Sequence, residues 1–269
     1  MTNSQKLYKG HKMSRMITQS KLTLNGVDLK TPKLFEPPPR VTIGETPEKI
    51  TVACVWWGTL YGVNYVEKLR NMVARHLTVP YEFVCITDRD DVPEGVRAIP
   101  TPIPNELCRG KNHYGDGKGW WAKVGIYKPG LFGDAKRIMY FDLDICIIGS
   151  LNNIASVQEP FCMIENFGPN KGHAAHNSSV VVWTPNEKSE EIYTKFSPDV
   201  VKELHGDQCW QWRVMRDKIH DYPKSWVVSY KYEKHPQWRH QNKDTSIIIF
   251  HGKPKPHEVR DTIIVNNWK

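Results

Sequence analysis

The sequence predicts an α/β fold in which helices flank a buried, mostly parallel central sheet. Three observations lead to this prediction. Short apolar runs rich in β-branched residues recur along the chain, segments with helical spacing separate them, and polar residues follow the ends of the runs. Parallel strands are buried on both faces and need crossover connections, which are usually helices. With 269 residues, the chain is long enough to bury such a core within one domain.

The first strand is predicted at Ile50–Trp57, a continuous apolar run that ends before Gly58. A helix is predicted after it, because apolar residues recur at Tyr65, Leu69 and Met72, which is the spacing of one helix face. Further strands are predicted, in chain order, at Tyr81–Thr87, Arg137–Phe141, Phe161–Ile164, Ser179–Trp183 and Ser246–Phe250, and further helices at Trp120–Tyr127 and Asp207–Lys218. Strands that alternate with helices are typical of a parallel sheet.

Polar side chains follow several of the predicted strands, namely Asp88, Asp142, Asp144 and His251. Ligands of open parallel sheets bind outside the carboxyl ends of the strands. We therefore expect a binding site at this edge of the sheet.

The formal net charge of +8 is concentrated near the N-terminus. Residues 1–40 hold eight basic and two acidic residues, whereas the rest of the chain holds 29 and 27. We interpret residues 1–40 as a basic arm or linker with a short hairpin near residues 22–28, and residues 41–269 as the folded domain. The arm's charge suits an anionic surface, but the distribution does not support a nucleic-acid surface across the folded domain.

Three further features concern the compartment. No apolar run approaches the roughly 18 residues of a transmembrane helix, so no membrane span is expected. The six cysteines form no C-x-x-C pair, which argues against a zinc ribbon or a thioredoxin-like site. The first residues lack the apolar stretch of a secretory signal, so we expect reduced thiols and a cytoplasmic location.

The most informative segment contains Asp142 and Asp144, which follow a predicted strand and lie between apolar flanks. Side chains at i and i+2 of a strand share one face. Two carboxylates that converge there repel each other unless a positive charge neutralises them. Hard oxygen ligands suit Mg²⁺ or Mn²⁺, so the pair predicts a divalent metal site.

A second segment follows the last predicted strand. His251 could supply a nitrogen ligand to the same metal, and Gly252 lets the backbone approach a ligand closely. Lys255 lies between two prolines, and a cation on a stiffened chain suits a phosphate.

Together these segments resemble the nucleotide-sugar glycosyltransferases of the GT-A fold, in particular the family-8-like group that includes glycogenin and bacterial lipopolysaccharide galactosyl- and glucosyltransferases. That group reads roughly Y-L-D-x-D-x-x-V-x-x-[DS]-L, and residues 140–151 read Y-F-D-L-D-I-C-I-I-G-S-L. Its C-terminal motif reads roughly H-x-x-G-x-x-K-P. Residues 251–256 read H-G-K-P-K-P, with the histidine next to the glycine.

Three shorter segments resemble the same group in the same order. They are W-W-A-K at 120–123, H-N-S-S-V-V-V at 176–182 and G-D-Q at 206–208. The resemblance implies that Lys123 faces the donor and that Asn177, Asp207 and Gln208 lie by the transferred sugar. Ser179 stands where the group usually has glycine.

The resemblance also implies a nucleotide site on the first strand and its loop. Base and ribose contacts map to Ala53, Val55, Trp57 and Tyr61, with Asp88 near the base. The two aromatic residues could equally be ordinary core or rim residues.

A GT-A-like single domain with a Rossmann-like sheet is therefore expected. The implied activity is metal-dependent transfer of a hexose from a nucleotide sugar, UDP-linked, to a glycan, lipid-linked or protein acceptor, with retention of configuration. Asp142, Asp144 and His251 would hold Mn²⁺ or Mg²⁺, and Asp142, Gly252 and Lys255 would bind the diphosphate. One alternative is a non-catalytic glycan- or nucleotide-binding protein on the same fold, and another is a metal-dependent nuclease or nucleotidyltransferase.

Two remaining segments have weaker predictions. Residues 110–119 are rich in Gly and Lys, but Asp116 stands where a phosphate-binding P-loop needs lysine. We interpret this segment as a mobile loop that could cover the donor. Residues 226–243 are rich in aromatic and basic residues and could bind the acceptor, although the composition favours a half-buried surface segment.

Overall fold

A computed structural model describes residues 41–110, 119–167, 174–232 and 243–269, together with two short strands nearer the N-terminus. The chain divides into two compact units, residues 1–37 and 38–269. Within the first unit, β1 (Thr23–Leu24) pairs antiparallel with β2 (Val27–Asp28), which confirms the predicted hairpin. The predicted lid at 110–119 lies mostly outside the described residues, as does much of the predicted acceptor segment at 226–243.

The described residues of the second unit form ten strands in two sheets. In chain order they are β3 (Ile50–Trp56), β4 (Tyr81–Thr87), β5 (Arg97–Pro100), β6 (Ile138–Phe141), β7 (Ile145–Ile147), β8 (Phe161–Glu165), β9 (His176–Trp183), β10 (His220–Asp221), β11 (Val227–Ser229) and β12 (Ile247–Ile249). The central sheet has the order β10-β8-β9-β6-β3-β4-β5. Only β9 runs antiparallel to its neighbours β8 and β6, and every other pair of adjacent strands in this sheet is parallel. The mostly parallel sheet is thus confirmed.

A smaller sheet has the order β11-β12-β7, with β12 antiparallel to β7. The sequence-based prediction placed the strand at Ser246–Phe250 among those of the main sheet, and this was wrong. Because only three residues separate the end of β6 from the start of β7, the chain passes from one sheet to the other through the segment that contains Asp142 and Asp144. This passage fixes the backbone of the candidate site from both sides.

The helices flank the central sheet. They are α1 (Val63–His76), α2 (Asn105–Cys108), α3 (Asn152–Ala155), α4 (Glu187–Thr194), α5 (Pro198–Glu203), α6 (Asp207–Met215) and α7 (Thr262–Asn267), with 3₁₀ turns at Trp120–Tyr127, Arg216–Lys218 and Pro256–Glu258. The predicted apolar face of α1 is buried, and Arg75 in its last turn is favourably placed at the negative end of the helix dipole. No helix among the described residues is long and apolar enough to cross a membrane.

The side chains of the central strands alternate between two cores, as their period of two requires. Val52 and Cys54 pack with α1 in one core, whereas Ala53 packs with the 3₁₀ segment Trp120–Tyr127 in the other. Seven of the eight residues of that segment are buried, so it forms an inner layer rather than an amphipathic surface helix. All six cysteines are buried, unpaired thiols.

Candidate functional site

A cleft of about 610 Å³ opens at the carboxyl ends of β3 and β6. It brings together residues that the sequence analysis assigned to a single site although they are far apart in the chain. These are Val55, Trp57, Tyr61, Lys123, Asp142, Asp144, Asn177, Asp207, Gln208, His251, Gly252 and Lys255. The position of the cleft is the one expected for ligands of a parallel sheet.

Two of the assigned residues do not line this cleft. Ala53 is completely buried in the core on β3. Asp88 follows β4 and is exposed, and its carboxylate accepts a hydrogen bond from the backbone N–H of Gly58 at 3.3 Å. Gly58 has φ of 71°, a conformation that favours glycine. The structure therefore places Asp88 where it holds the loop that follows β3.

The backbone around the aspartate pair is fixed by both sheets. The N–H of Asp142 donates to the carbonyl of Ser179 at 2.9 Å, which continues the pairing of β6 with β9. The carbonyl of Asp144 accepts from the N–H of Phe250 at 3.1 Å, just past β12. Each aspartate is thus attached to a different sheet, and the apolar flanks seen in the sequence are the strands that make this possible.

Asp142 contacts two side chains on the floor of the cleft. The ammonium group of Lys123 lies 2.7 Å from its Oδ1, and the hydroxyl of Tyr140 donates to the same oxygen at 2.8 Å. Lys123 also lies 3.3 Å from Oδ2 of Asp207 and donates to the hydroxyl of Ser178 at 3.0 Å. A single buried lysine therefore connects two carboxylates.

Asp207 is the first residue of α6 and is buried. Its Oδ2 accepts hydrogen bonds from the hydroxyl of Ser178 at 2.8 Å and from the amide of Gln211 at 2.9 Å. The amide oxygen of Gln211 in turn accepts from Tyr127 at 2.7 Å. Burial raises the pKa of Asp207, although the charge of Lys123 acts in the opposite direction. Burial alone would lower the pKa of Lys123, but the carboxylates of Asp142 and Asp207 outweigh it and raise that pKa.

Asp144 has a separate lysine. Its Oδ2 lies 2.5 Å from the ammonium group of Lys255 and accepts from the hydroxyl of Tyr61 at 2.9 Å. Burial raises the pKa of Asp144, and the neighbouring charge of Asp142 adds to this effect while Lys255 opposes it. Burial, followed by the charge of Asp144, raises the pKa of Tyr61. Tyr61 is therefore protonated at neutral pH and donates.

His251 lines the same cleft as the aspartate pair, and its contacts are with residues of other segments. Its Nε2 lies 2.7 Å from the hydroxyl of Ser229 at the end of β11, and its ring stacks with those of Phe167 and Tyr232. Burial lowers its pKa, and the charges of Lys231 and Lys255 lower it further. The imidazole is therefore neutral at physiological pH.

The three predicted metal ligands already have partners within the chain. Within the described ranges, no group of three His, Cys, Asp or Glu side chains is placed so that it could hold a metal ion. Each aspartate of the pair is already matched by a lysine, and His251 is engaged with Ser229. As arranged, Oδ1 of Asp142, Oδ2 of Asp144 and Nε2 of His251 are occupied by these partners and do not fit a divalent ion at those atoms.

The sugar-side residues and the rim complete the cleft. Asn177 is buried, and its amide oxygen accepts from the N–H of Ser179 at 2.9 Å, while Gln208 is partly exposed. Trp57 donates to Asn105 at 3.1 Å and packs on Gly119, where a Cβ atom would lie 2.4 Å from the indole. Gly119 also has φ of 82°, so glycine is required there both for space and for backbone conformation.

Sequence reasoning missed several residues of this network. Ser178, Tyr140 and Gln211 all accept or donate hydrogen bonds at the lysine and the carboxylates. Tyr140 and Ser178 lie inside the segments that match the glycosyltransferase pattern, so their positions could have identified them as residues of the site. Gln211 follows Asp207 by four residues, which places the two side chains on the same face of a helix.

Comparison with known proteins agrees with the fold. No protein-family model and no curated protein sequence matches this chain. The fold is similar to solved glycosyltransferase structures. The bifunctional glycosyltransferase WbbM has a TM-score of 0.57 and 11% identity, over 85% of this chain and 51% of that one. The galactosyltransferase LgtC, in complex with donor and acceptor sugar analogues, also has a TM-score of 0.57 and 11% identity, over 81% and 96%.

The glycosyltransferase GlyE of Streptococcus pneumoniae TIGR4 has a TM-score of 0.53 and 16% identity, over 82% of this chain and 63% of that one. This chain thus spans about half the length of WbbM and less than two thirds of GlyE. At such identities the similarity shows the fold alone. The α/β fold of GT-A type that the motifs predict is therefore confirmed.

Proposed function

We propose that this protein is a glycosyltransferase that moves a hexose from a nucleotide sugar, UDP-linked, to a glycan, lipid-linked or protein acceptor. One observation carries the proposal. Five short segments, which match the glycosyltransferase pattern and are far apart in the chain, meet around one cleft. A chance resemblance of short motifs gives no reason for them to converge in three dimensions.

The diphosphate end of the donor is assigned to the loop after β12. Gly252 has φ of 77° and open space beside its Cα, so its backbone leaves room for a close ligand. Lys253 and Lys255 line the same part of the cleft. When the sugar departs, negative charge develops on the diphosphate, and fixed cations at that position stabilise it.

The sugar end is assigned to the opposite wall. Asp207, Gln208 and Asn177 line the cleft there, and their oxygens can accept from sugar hydroxyls or stabilise a transition state with oxocarbenium character. Lys123 contacts both Asp207 and Asp142 and thereby fixes the positions of the two carboxylates. The retaining outcome remains part of the proposal and rests on the resemblance.

The remaining predictions from the sequence also stay proposals. They comprise a basic arm at residues 1–40 ahead of a catalytic domain at 41–269, and a cytoplasmic location, which the six buried thiols support. Binding of Mn²⁺ or Mg²⁺ remains a prediction from the sequence alone, because the contacts of Asp142, Asp144 and His251 do not fit it.

A thermal-shift panel tests the proposal. UDP, GDP, ADP, CDP and dTDP are each added to the full chain with and without Mn²⁺, and the matching nucleotide sugars are then assayed under both conditions for release of the diphosphate. A ligand that binds only the native state raises its melting temperature, so we expect one diphosphate to stabilise the protein and its sugar to be turned over. Binding without any turnover, even hydrolysis, would favour a non-catalytic binding protein. No shift with any nucleotide would refute the proposal.

A further inference from the structure

We propose that lysine side chains, chiefly Lys255, neutralise the charge of the leaving diphosphate in this protein without a divalent metal ion. This inference rests on the proposed glycosyl transfer and concerns the same cleft. It follows from the contacts of the two aspartates that the sequence analysis assigned to a metal.

The ammonium group of Lys255 lies where a cation would be needed. It is 2.5 Å from Oδ2 of Asp144 and lies over the ring of Tyr61, 5.5 Å from its centre. The side chain of Lys255 is 17% exposed and that of Asp144 is 13% exposed. The pair is therefore sheltered and little screened by solvent, unlike an ordinary surface ion pair.

Asp142 is neutralised in the same way from the other side. Lys123 is 2.7 Å from Asp142 and 3.3 Å from Asp207, with its side chain 10% exposed. A divalent ion bound by the same carboxylate oxygens would have to displace these ammonium groups or lie beside them, and like charges at such distances repel. The repulsion between Asp142 and Asp144 was the reason to expect a metal, and the chain's own lysines reduce it.

The third predicted ligand belongs to another set of contacts. His251 is bound to Ser229 at 2.7 Å, and its ring is stacked with Phe167 and Tyr232. While this hydrogen bond is formed, Nε2 of His251 is not available as a metal ligand.

Lys255 can bind a phosphate while it stays on Asp144. An ammonium group has three N–H donors, and its hydrogen bond to Asp144 uses one of them. The other two donors are available to phosphate oxygens in the cleft, and the ammonium group acts on them as a compact point charge. In the transfer, the bond between the sugar carbon and the diphosphate oxygen breaks, and its electron pair stays on that oxygen beside Lys255. The acceptor hydroxyl oxygen forms the new bond to the same carbon, and its proton passes to the departing diphosphate.

Calorimetric titration of the full chain tests the inference. The panel of UDP, GDP, ADP, CDP and dTDP is titrated once in EDTA and once in MnCl₂. We expect one diphosphate to bind in EDTA, with an affinity that MnCl₂ changes by less than about threefold, which is under 1 kcal/mol. Binding in MnCl₂ but not in EDTA would overturn the inference and leave the proposed function intact. No binding in either condition would overturn both.

Three variants sharpen the test. In EDTA, Lys255→Ala should weaken the bound diphosphate by about tenfold or more, and Lys255→Arg, which keeps the charge, should lose less. Lys195→Ala is the matched control, because Lys195 also lies 3.0 Å from a carboxylate but is outside the cleft. Melting curves of each variant show whether it is folded.

Asp144→Asn separates the two explanations most clearly. If Lys255 binds the diphosphate, this substitution removes a negative charge near the phosphates and frees the ammonium group, so affinity in EDTA should rise by about two- to tenfold. If Asp144 is a metal ligand, the same substitution should weaken binding. A weaker affinity in the folded variant would overturn the inference.

Discussion

Replacing Lys123 with methionine should destabilise the protein strongly. The side chains of Lys123 and Asp207 are 10% and 9% exposed and lie 3.3 Å apart, and the same ammonium group is 2.7 Å from Asp142. Removing one partner of a buried ion pair leaves an uncompensated charge and costs about 3–5 kcal/mol. Total stabilities of proteins are about 5–15 kcal/mol, so this loss is a large fraction. For a chain of this size it corresponds to a fall in melting temperature of about 6–20 °C.

The loss should depend on pH in a definite direction. The pKa of Asp207 is already raised in the folded protein, by burial first and against the effect of Lys123. Without the lysine it rises further. A carboxyl group whose pKa is raised by folding costs stability when the pH lies above that pKa, and this cost disappears well below its ordinary value. The stability difference between Lys123→Met and the native protein should therefore be largest at neutral pH and shrink as the pH falls.

Urea denaturation at about pH 7.5 and about pH 5 measures both effects. Lys195→Met, at an exposed lysine, is the matched control and should change stability little at either pH. Adding Asp207→Asn to Lys123→Met should recover part of the loss, because it removes a charge that has lost its partner. If Lys123→Met behaves like Lys195→Met and shows no pH dependence, the reasoning about the buried network is refuted.

Substitutions at three other positions test separate parts of the structure. Tyr61→Phe removes a hydrogen bond of 2.9 Å to Asp144. It should lower the free energy of unfolding, measured by urea denaturation, by about 1.5–3 kcal/mol. Unchanged stability would show that this hydrogen bond does not contribute. Gly119→Ala adds a Cβ atom against Trp57 at a residue with φ of 82°. It should lower the free energy of unfolding by about 1–3 kcal/mol and should weaken diphosphate binding. Unchanged stability together with unchanged binding would contradict the tight packing. Met72 is completely buried and its sulfur accepts from the N–H of Ile147, so Met72→Ala should cost about 2–5 kcal/mol. Met72→Leu should lower the free energy of unfolding by under about 1.5 kcal/mol. Equal losses in the alanine and leucine variants would show that side-chain volume does not determine stability at this position.

The fold was predictable wherever burial leaves a signal in consecutive residues. The strands β3 and β4 are continuous apolar runs, and their bounds agree with the prediction to within one residue. The strand β5 was missed because it lies at the edge of the sheet, where three of its four residues are exposed and no apolar run is needed. The segment Trp120–Tyr127 was expected as a helix and is a 3₁₀ helix, since it is buried almost all round and has no polar face to set a helical period.

The composition of the cleft was predictable from the sequence, but the contacts within it were not. Lys123 ends the matched segment at 120–123, and nothing in that segment indicates that its ammonium group contacts both Asp142 and Asp207. That contact depends on how the 3₁₀ segment packs beneath β6 and α6. Similarly, the partner of His251 is Ser229, on a strand of three residues that is too short to leave a pattern.

The spacing of the C-terminal motif explains why the resemblance predicts the residues of the cleft better than their contacts. In the glycosyltransferase pattern the lysine follows the glycine by three positions, and Gly252 and Lys255 keep that spacing. The histidine precedes the glycine by three positions in the pattern but is adjacent to it here. The strand β12 ends at Ile249, which is paired in register with Ser229 of β11, so His251 leaves the sheet beside Ser229 and bonds to it. The shortened spacing thus leaves the lysine at Asp144 and takes the imidazole to the neighbouring strand. The positive charge opposite Asp144 then comes from a side chain of the protein itself.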